Sequence, residues 1–181
     1  MTENTKQFLP KSLEAMEIYE YFTSQIHQFD YHLLKKWMQS ENIEALAVIY
    51  GIITEREYSK KIHPQLSVWD YFYVIRKYFY KCLIEDHTDY WILSRFQAGM
   101  DLNNWFNTFW EDDNVPRKIL KDFRDWLSKL YISEDASVKH CISNVVLGHL
   151  FETKEVRAFF SSWKEDQILK EAYSTAVELN L

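Results

Sequence analysis

The chain has 181 residues, a formal charge of −6 from 27 acidic and 21 basic side chains, and only three Gly and three Pro against twelve Tyr, twelve Phe and seven Trp. A chain of this length buries about 70% of the surface its unfolded form exposes, so it needs neither a metal nor a disulfide to fold, and its ordinary share of apolar and charged residues indicates neither a disordered nor a membrane class. The acidic balance extends over both halves with no basic arm, which leaves no phosphate-neutralising footprint and makes nucleic acid an unexpected partner.

Residues 1–10 carry no basic segment followed by an apolar core; they read as a disordered terminus rather than a secretory signal, ahead of a single all-α domain over 11–181. Ser12 to Phe29 and Tyr31 to Gln39 are expected as two helices, or as one long helix bent near Asp30. Ala45 to Ile53 is apolar on all sides and reads as helix, because no second strand candidate exists to satisfy the backbone of a lone strand. Thr54 with Glu57, Ser67 with Asp70 and Ser162 with Glu165 have the hydroxyl-then-acid spacing of a capping box, so helix starts are expected near each.

Leu66 to Asp86 holds seven aromatics and is apolar nearly all round, which predicts a helix at the centre of the bundle. Asp70, Arg76, Lys77 and Lys81 interrupt it too often for a membrane span, and Asp70, Lys77 and Lys81 fall together as a narrow polar stripe. Gly99 followed by Asp101 reads as a helix stop and a new N-cap, separating a helix around Asp89 to Ala98 from one around Leu102 to Glu111. Pro116 to Tyr131 is strongly periodic, with Pro116 at the first turn. From Ser137 to Phe151, Val138, Cys141, Ile142, Val145, Val146, His149 and Leu150 form one stripe. A last helix carries Leu169, Ala172, Tyr173, Ala176 and Val177. Together these predict an all-α, single-domain bundle of about eight to ten helices around the aromatic-rich segment 66–86.

Chemistry is harder to find. Cys82 and Cys141 lie in apolar helical patterns and behave as small buried hydrophobes, which points to a reducing, cytoplasmic setting. The six histidines, at positions 27, 32, 63, 87, 140 and 149, lack the paired spacing of metal-binding helices. The cluster Glu85, Asp86, His87 and Asp89, and the acidic runs before Pro116, before Ser137 and at Glu165–Asp166, read as helix-start acids favoured by the macrodipole; no metal or cofactor is expected. Arg117, Lys118, Lys121 and Arg124 interleave with Asp122 and Asp125, the pattern of a salt-bridged solvent face. No Gly-x-Ser-x-Gly and no glycine-rich phosphate loop is present.

The separation of Arg56 and His63 by six residues resembles the ribonuclease motif of HEPN-type helical domains. Glu57 stands where a neutral polar residue is more usual, and Pro64 directly follows the histidine. The resemblance implies ribonuclease activity, with both side chains at one scissile phosphate.

The leading expectation is a non-enzymatic, cytoplasmic interaction protein, an acidic inhibitor or immunity-type protein for a basic protein partner, with Trp110 as an aromatic anchor rimmed by Glu111, Asp112 and Asp113. The alternative is a helical domain with an apolar cavity for a small ligand, in which Tyr73, Arg76, Tyr80, Cys141 and His149 line the pocket and Arg76 points inward.

Overall fold

With so few glycines and prolines, the chain relies on short polar side chains to begin and end its helices, and the computed structural model, which describes residues 9–24 and 28–181, places them. The expectations for residues 1–8 and for His27 lie outside the described residues. The chain divides into two units: the residues through Cys82 together with His87–Leu93, and Leu83–Asp86 together with Ser94–Leu181.

In the first unit, α1 (Leu13–Ser24) and α3 (Ile43–Thr54) pack together and start at the same end. Glu44, in the first turn of α3, accepts the N–H groups of Lys11 at 2.7 Å and Ser12 at 2.6 Å, while Asn42 caps α3 by accepting from Ala45 N–H at 3.0 Å. One acid thereby satisfies donors that α1 cannot pair itself. Asp30 is the N-cap of α2 (Tyr31–Trp37), accepting from His32 and Leu33 N–H, so the polypeptide makes two helices here rather than one bent one. Phe29–Asp30 (β1) and Ile62–His63 (β2) pair in parallel, with Phe29 opposite Ile62. A two-residue ladder has no periodicity, which is why no strand was legible. The core gathers Ile18, Phe22, Phe29, Leu34, Met38, Ile49, Ile53 and Ile62, all buried.

A helix does start near Thr54, α4 (Arg56–Ser59), but without a side-chain cap, because the Thr54 hydroxyl donates back to Tyr50 O at 2.7 Å at the end of α3. The Ser67–Asp70 box is formed: Asp70 accepts from Ser67 N–H at 3.0 Å and from the Ser67 hydroxyl at 2.9 Å, and pairs with Lys35. It starts α5 (Val68–Glu85), whose last three residues belong to the second unit. The polar stripe expected on α5 is not its solvent face. Asp70 is buried and Lys77 turns to Glu41 at 2.9 Å, so the exposed line is Trp69, Tyr73, Arg76, Tyr80 and Ile84.

The second unit contains α6 (Arg95–Glu111), α7 (Arg117–Ser133), α8 (Ala136–His140), a π-helical stretch Cys141–Leu147, α9 (Gly148–Leu150), α10 (Lys154–Phe159) and α11 (Leu169–Glu178). Gly99 is no stop, for α6 runs straight through it from the N-cap Ser94. A Cβ at Gly99 would stand 2.8 Å from Cys141 Sγ and 2.9 Å from Val145 Cγ1, so the glycine is there for the close approach of α6 to the π stretch. Ser162–Glu165 is likewise not a capping box but part of a 3-10 turn, and Asp166 instead accepts from Ile168 and Leu169 N–H at the head of α11. The core is a chain of rings, Phe106 to Phe160 at 5.5 Å, Phe160 to Phe151 at 5.7 Å and Phe151 to Tyr173 at 4.9 Å.

Candidate interaction surfaces

Trp110, in the last turn of α6, is half-buried. Its ring stacks on Phe106 at 6.1 Å, meets Phe159 edge-on at 5.5 Å, and carries the Arg117 guanidinium 4.8 Å from its centre. Trp110 is therefore a rim residue of the second unit's core, already in contact, and not the free anchor expected. Glu111, Asp112 and Asp113 are exposed, but they do not cap α7, whose N-cap is Pro116. Asp112 Oδ1 accepts from Asn114 N–H at 2.8 Å and shapes the connecting turn.

The five residues expected to line a ligand cavity are not buried together. Arg76 is exposed and lies over Phe72, with 5.4 Å from the guanidinium carbon to the ring centre; Tyr73 and Tyr80 are exposed beside it. An inward Arg76 was the anion handle of the cavity reading, and that handle is absent. Cys141 is buried and its thiol donates to Arg95 O, and burial pushes it up to about 12. His149 is exposed and pairs with Glu152 at 3.1 Å. The reason is the π stretch, in which hydrogen bonds reach one residue further and each turn takes more residues. The three-and-four stripe slips out of phase there: Ser143, Leu147 and Gly148 turn inward and His149 turns out.

Arg56 is exposed on α4 and His63 is exposed on β2. A cleft of about 420 Å³ beside the β1–β2 pair is lined by Tyr21, Gln28, Asp30, His32, His63 and Pro64 among others, and Arg56 is not among its lining residues. The Asp30 carboxylate there is committed to the start of α2. In the run 85–89, Asp86 accepts from Arg95 N–H at 2.8 Å and pairs with the Arg95 guanidinium at 3.2 Å. Within the basic run of α7, Lys118 pairs with Asp122 at 2.6 Å and Arg124 with Asp125 at 3.0 Å.

A different feature emerges in the first unit. Tyr19, Phe22 and Thr23 of α1, Ala47, Val48, Gly51 and Ile52 of α3, then Glu55, Tyr58 and Ile92, enclose a half-open groove of about 200 Å³. Its walls are mainly apolar. A Cβ built at Gly51 meets nothing within 4 Å, and the residue has ordinary helical backbone. Neither packing nor conformation requires glycine there, although a glycine inside a helix costs about 1 kcal/mol relative to alanine. The flanking helices are acidic: α1 carries Glu14, Glu17 and Glu20, α3 carries Glu44, and neither has a basic residue. The signals in the sequence were Gly51 inside an otherwise apolar helix and an acid-only first helix; the groove itself depends on α1 lying beside α3, which no local pattern encodes.

No helix among the described residues is long and apolar enough to cross a membrane. No protein-family model, no curated protein and no solved structure matches this chain.

Proposed function

We propose that this chain is a non-catalytic protein-interaction module that seats a partner in the groove between α1 and α3. The observation behind this reading is the open, apolar recess, to whose wall Gly51 adds no side chain. At about 200 Å³ the recess is smaller than the roughly 300–1,000 Å³ typical of sites that engulf a small molecule. It is nonetheless concave, as the pockets that hold the central anchors of protein interfaces are. The exposed line on α5 has interface-type residues, but it is a convex helix face whose Tyr73 hydroxyl already donates to Gln39 Oε1 at 2.7 Å.

A photo-crosslinking amino acid at Thr23, on the exposed rim, tests this in lysate of the native host. The expected result is one protein adduct that disappears when Gly51→Leu puts a side chain into the groove, with no such adduct from the same probe at Lys121 on α7. An adduct at Thr23 that survives Gly51→Leu, or none at all, rejects the groove as the docking site.

A further inference from the structure

We infer that the cleft beside the β1–β2 pair is a second binding site, for a neutral planar heteroaromatic molecule of the nucleobase class. It shares no lining residue with the α1–α3 groove and does not depend on docking there.

The first argument is size and wall. At about 420 Å³ the cleft lies within the roughly 300–1,000 Å³ of small-molecule sites, as the groove does not. Tyr21, Phe29, Tyr31, His32, His63 and Pro64 make its walls chiefly of rings, against which a flat ring system buries the most surface. The local fold gathers them. Parallel pairing sets Phe29 opposite Ile62, both buried, and Asp30 opposite His63, both exposed, so Asp30 and His63 share the outer face. Tyr31 and His32 follow at the start of α2, with ring centres 5.7 Å apart and planes at 80°.

The polar groups of the cleft are mostly neutral and uncommitted. His32 and His63 are exposed and hold no hydrogen bond or ion pair among the described residues. A neutral imidazole offers one donor and one acceptor, the mixture that the edge of a base also presents. The Tyr21 hydroxyl accepts from Asp30 N–H at 3.2 Å, which leaves its own proton to donate. The described residues include no group of three or more His, Cys, Asp or Glu side chains able to hold a metal ion, so a ligand here meets the imidazoles as hydrogen-bonding groups.

Fixed charge selects neither an anion nor a cation. Asp30 is negative, Lys61 lies over the Phe29 ring at 5.7 Å, and Lys35, 6.0 Å from the centre of the Tyr31 ring, is paired with Asp70. With a formal charge of −6 the whole chain also opposes a phosphate backbone, so the ligand is a free base or nucleoside rather than a strand of nucleic acid.

The test is a titration of the full chain, followed by amide chemical shifts, with adenosine, guanosine, cytidine and uridine, then with the monophosphate and a short single strand of the one that binds. At least one nucleoside is expected to shift the amides of Tyr31, His32 and His63 saturably and to leave those of α7 in place. Its affinity is expected to fall about tenfold or more in the His32→Ala, His63→Ala double variant, whose melting temperature stays that of the wild type because both side chains are exposed. No saturable shift with any of the four, or undiminished binding by the double variant, overturns the site. Binding of the monophosphate tenfold tighter than of the nucleoside overturns the neutral ligand, and the same gain for the single strand overturns the free base. None of these results moves the Thr23 crosslink, which decides the groove separately.

Discussion

The two helix-interior glycines make one substitution act with opposite signs. At Gly99, a methyl group would sit 2.8 Å from Cys141 Sγ and 2.9 Å from Val145 Cγ1, roughly 1 Å inside a relaxed contact of about 3.5–4.0 Å. Those neighbours are held on the π stretch, which packs closely on α6, so the overlap cannot be relieved by the tip of a flexible chain. Overpacking of this kind costs about 1–3 kcal/mol, while replacing a helical glycine by alanine returns about 1 kcal/mol. Gly99→Ala is thus expected to destabilise by up to about 2 kcal/mol, lowering the melting temperature by up to about 8 °C. At Gly51 the methyl meets nothing within 4 Å, so only the propensity gain remains. Gly51→Ala is expected to stabilise by about 0.5–1 kcal/mol. Urea denaturation of both variants by far-ultraviolet circular dichroism reads the two signs. A loss at Gly51 would mean that the groove is closed in solution, and a gain at Gly99 would refute the close approach of α6 to the π stretch.

Other expectations follow from the same contacts. Burial opposes ionisation of Asp70, but Lys35 and the Ser67 N–H and hydroxyl outweigh it, so its carboxyl titrates below the ordinary aspartate value. That contribution is complete above the unfolded value of about 4 and is lost as pH falls through the lower folded value; Asp70→Asn should cost about 2 kcal/mol at neutral pH and flatten the acid limb of the stability profile, and an unchanged limb would remove Asp70 as its source. The buried Cys141 thiol, pushed up to about 12, is expected to resist a thiol reagent until urea unfolds the protein, and labelling at the native rate of a free thiol would contradict its placement. Trp110→Ala should destabilise by about 2 kcal/mol through loss of its contacts with Phe106, Phe159 and Arg117, whereas full retention of stability would return Trp110 to the list of free surface anchors.

Helices were legible wherever one amphipathic period ran unbroken. The stripe predicted from Pro116 to Tyr131 is the buried face of α7, with Ile119, Leu120, Phe123, Trp126, Leu127, Leu130 and Tyr131 all inside. Local chemistry failed where a distant partner decides. Gly99 has the pattern of a helix stop, and only the approach of Cys141 and Val145 makes it a packing residue. His149 follows the buried stripe at a spacing of 3.6, and only the π stretch before it rotates it to solvent. The proposed interaction surface was the least legible of all. Composition pointed to Trp110 and its acids, but a tryptophan in sequence does not announce whether a neighbouring Arg117 will lie over its ring. The groove that carries the proposal depends on α1 and α3 lying side by side, and its sequence traces were a glycine that nothing nearby required and an acid-only first helix.

The most direct measurement is the affinity, by titration calorimetry, of the partner recovered through the Thr23 crosslink for the wild-type chain and for Gly51→Leu. A side chain added at position 51 is expected to weaken binding about tenfold or more while leaving the melting temperature at or above that of the wild type. Equal affinity of the two proteins would place the partner elsewhere and contradict the central claim.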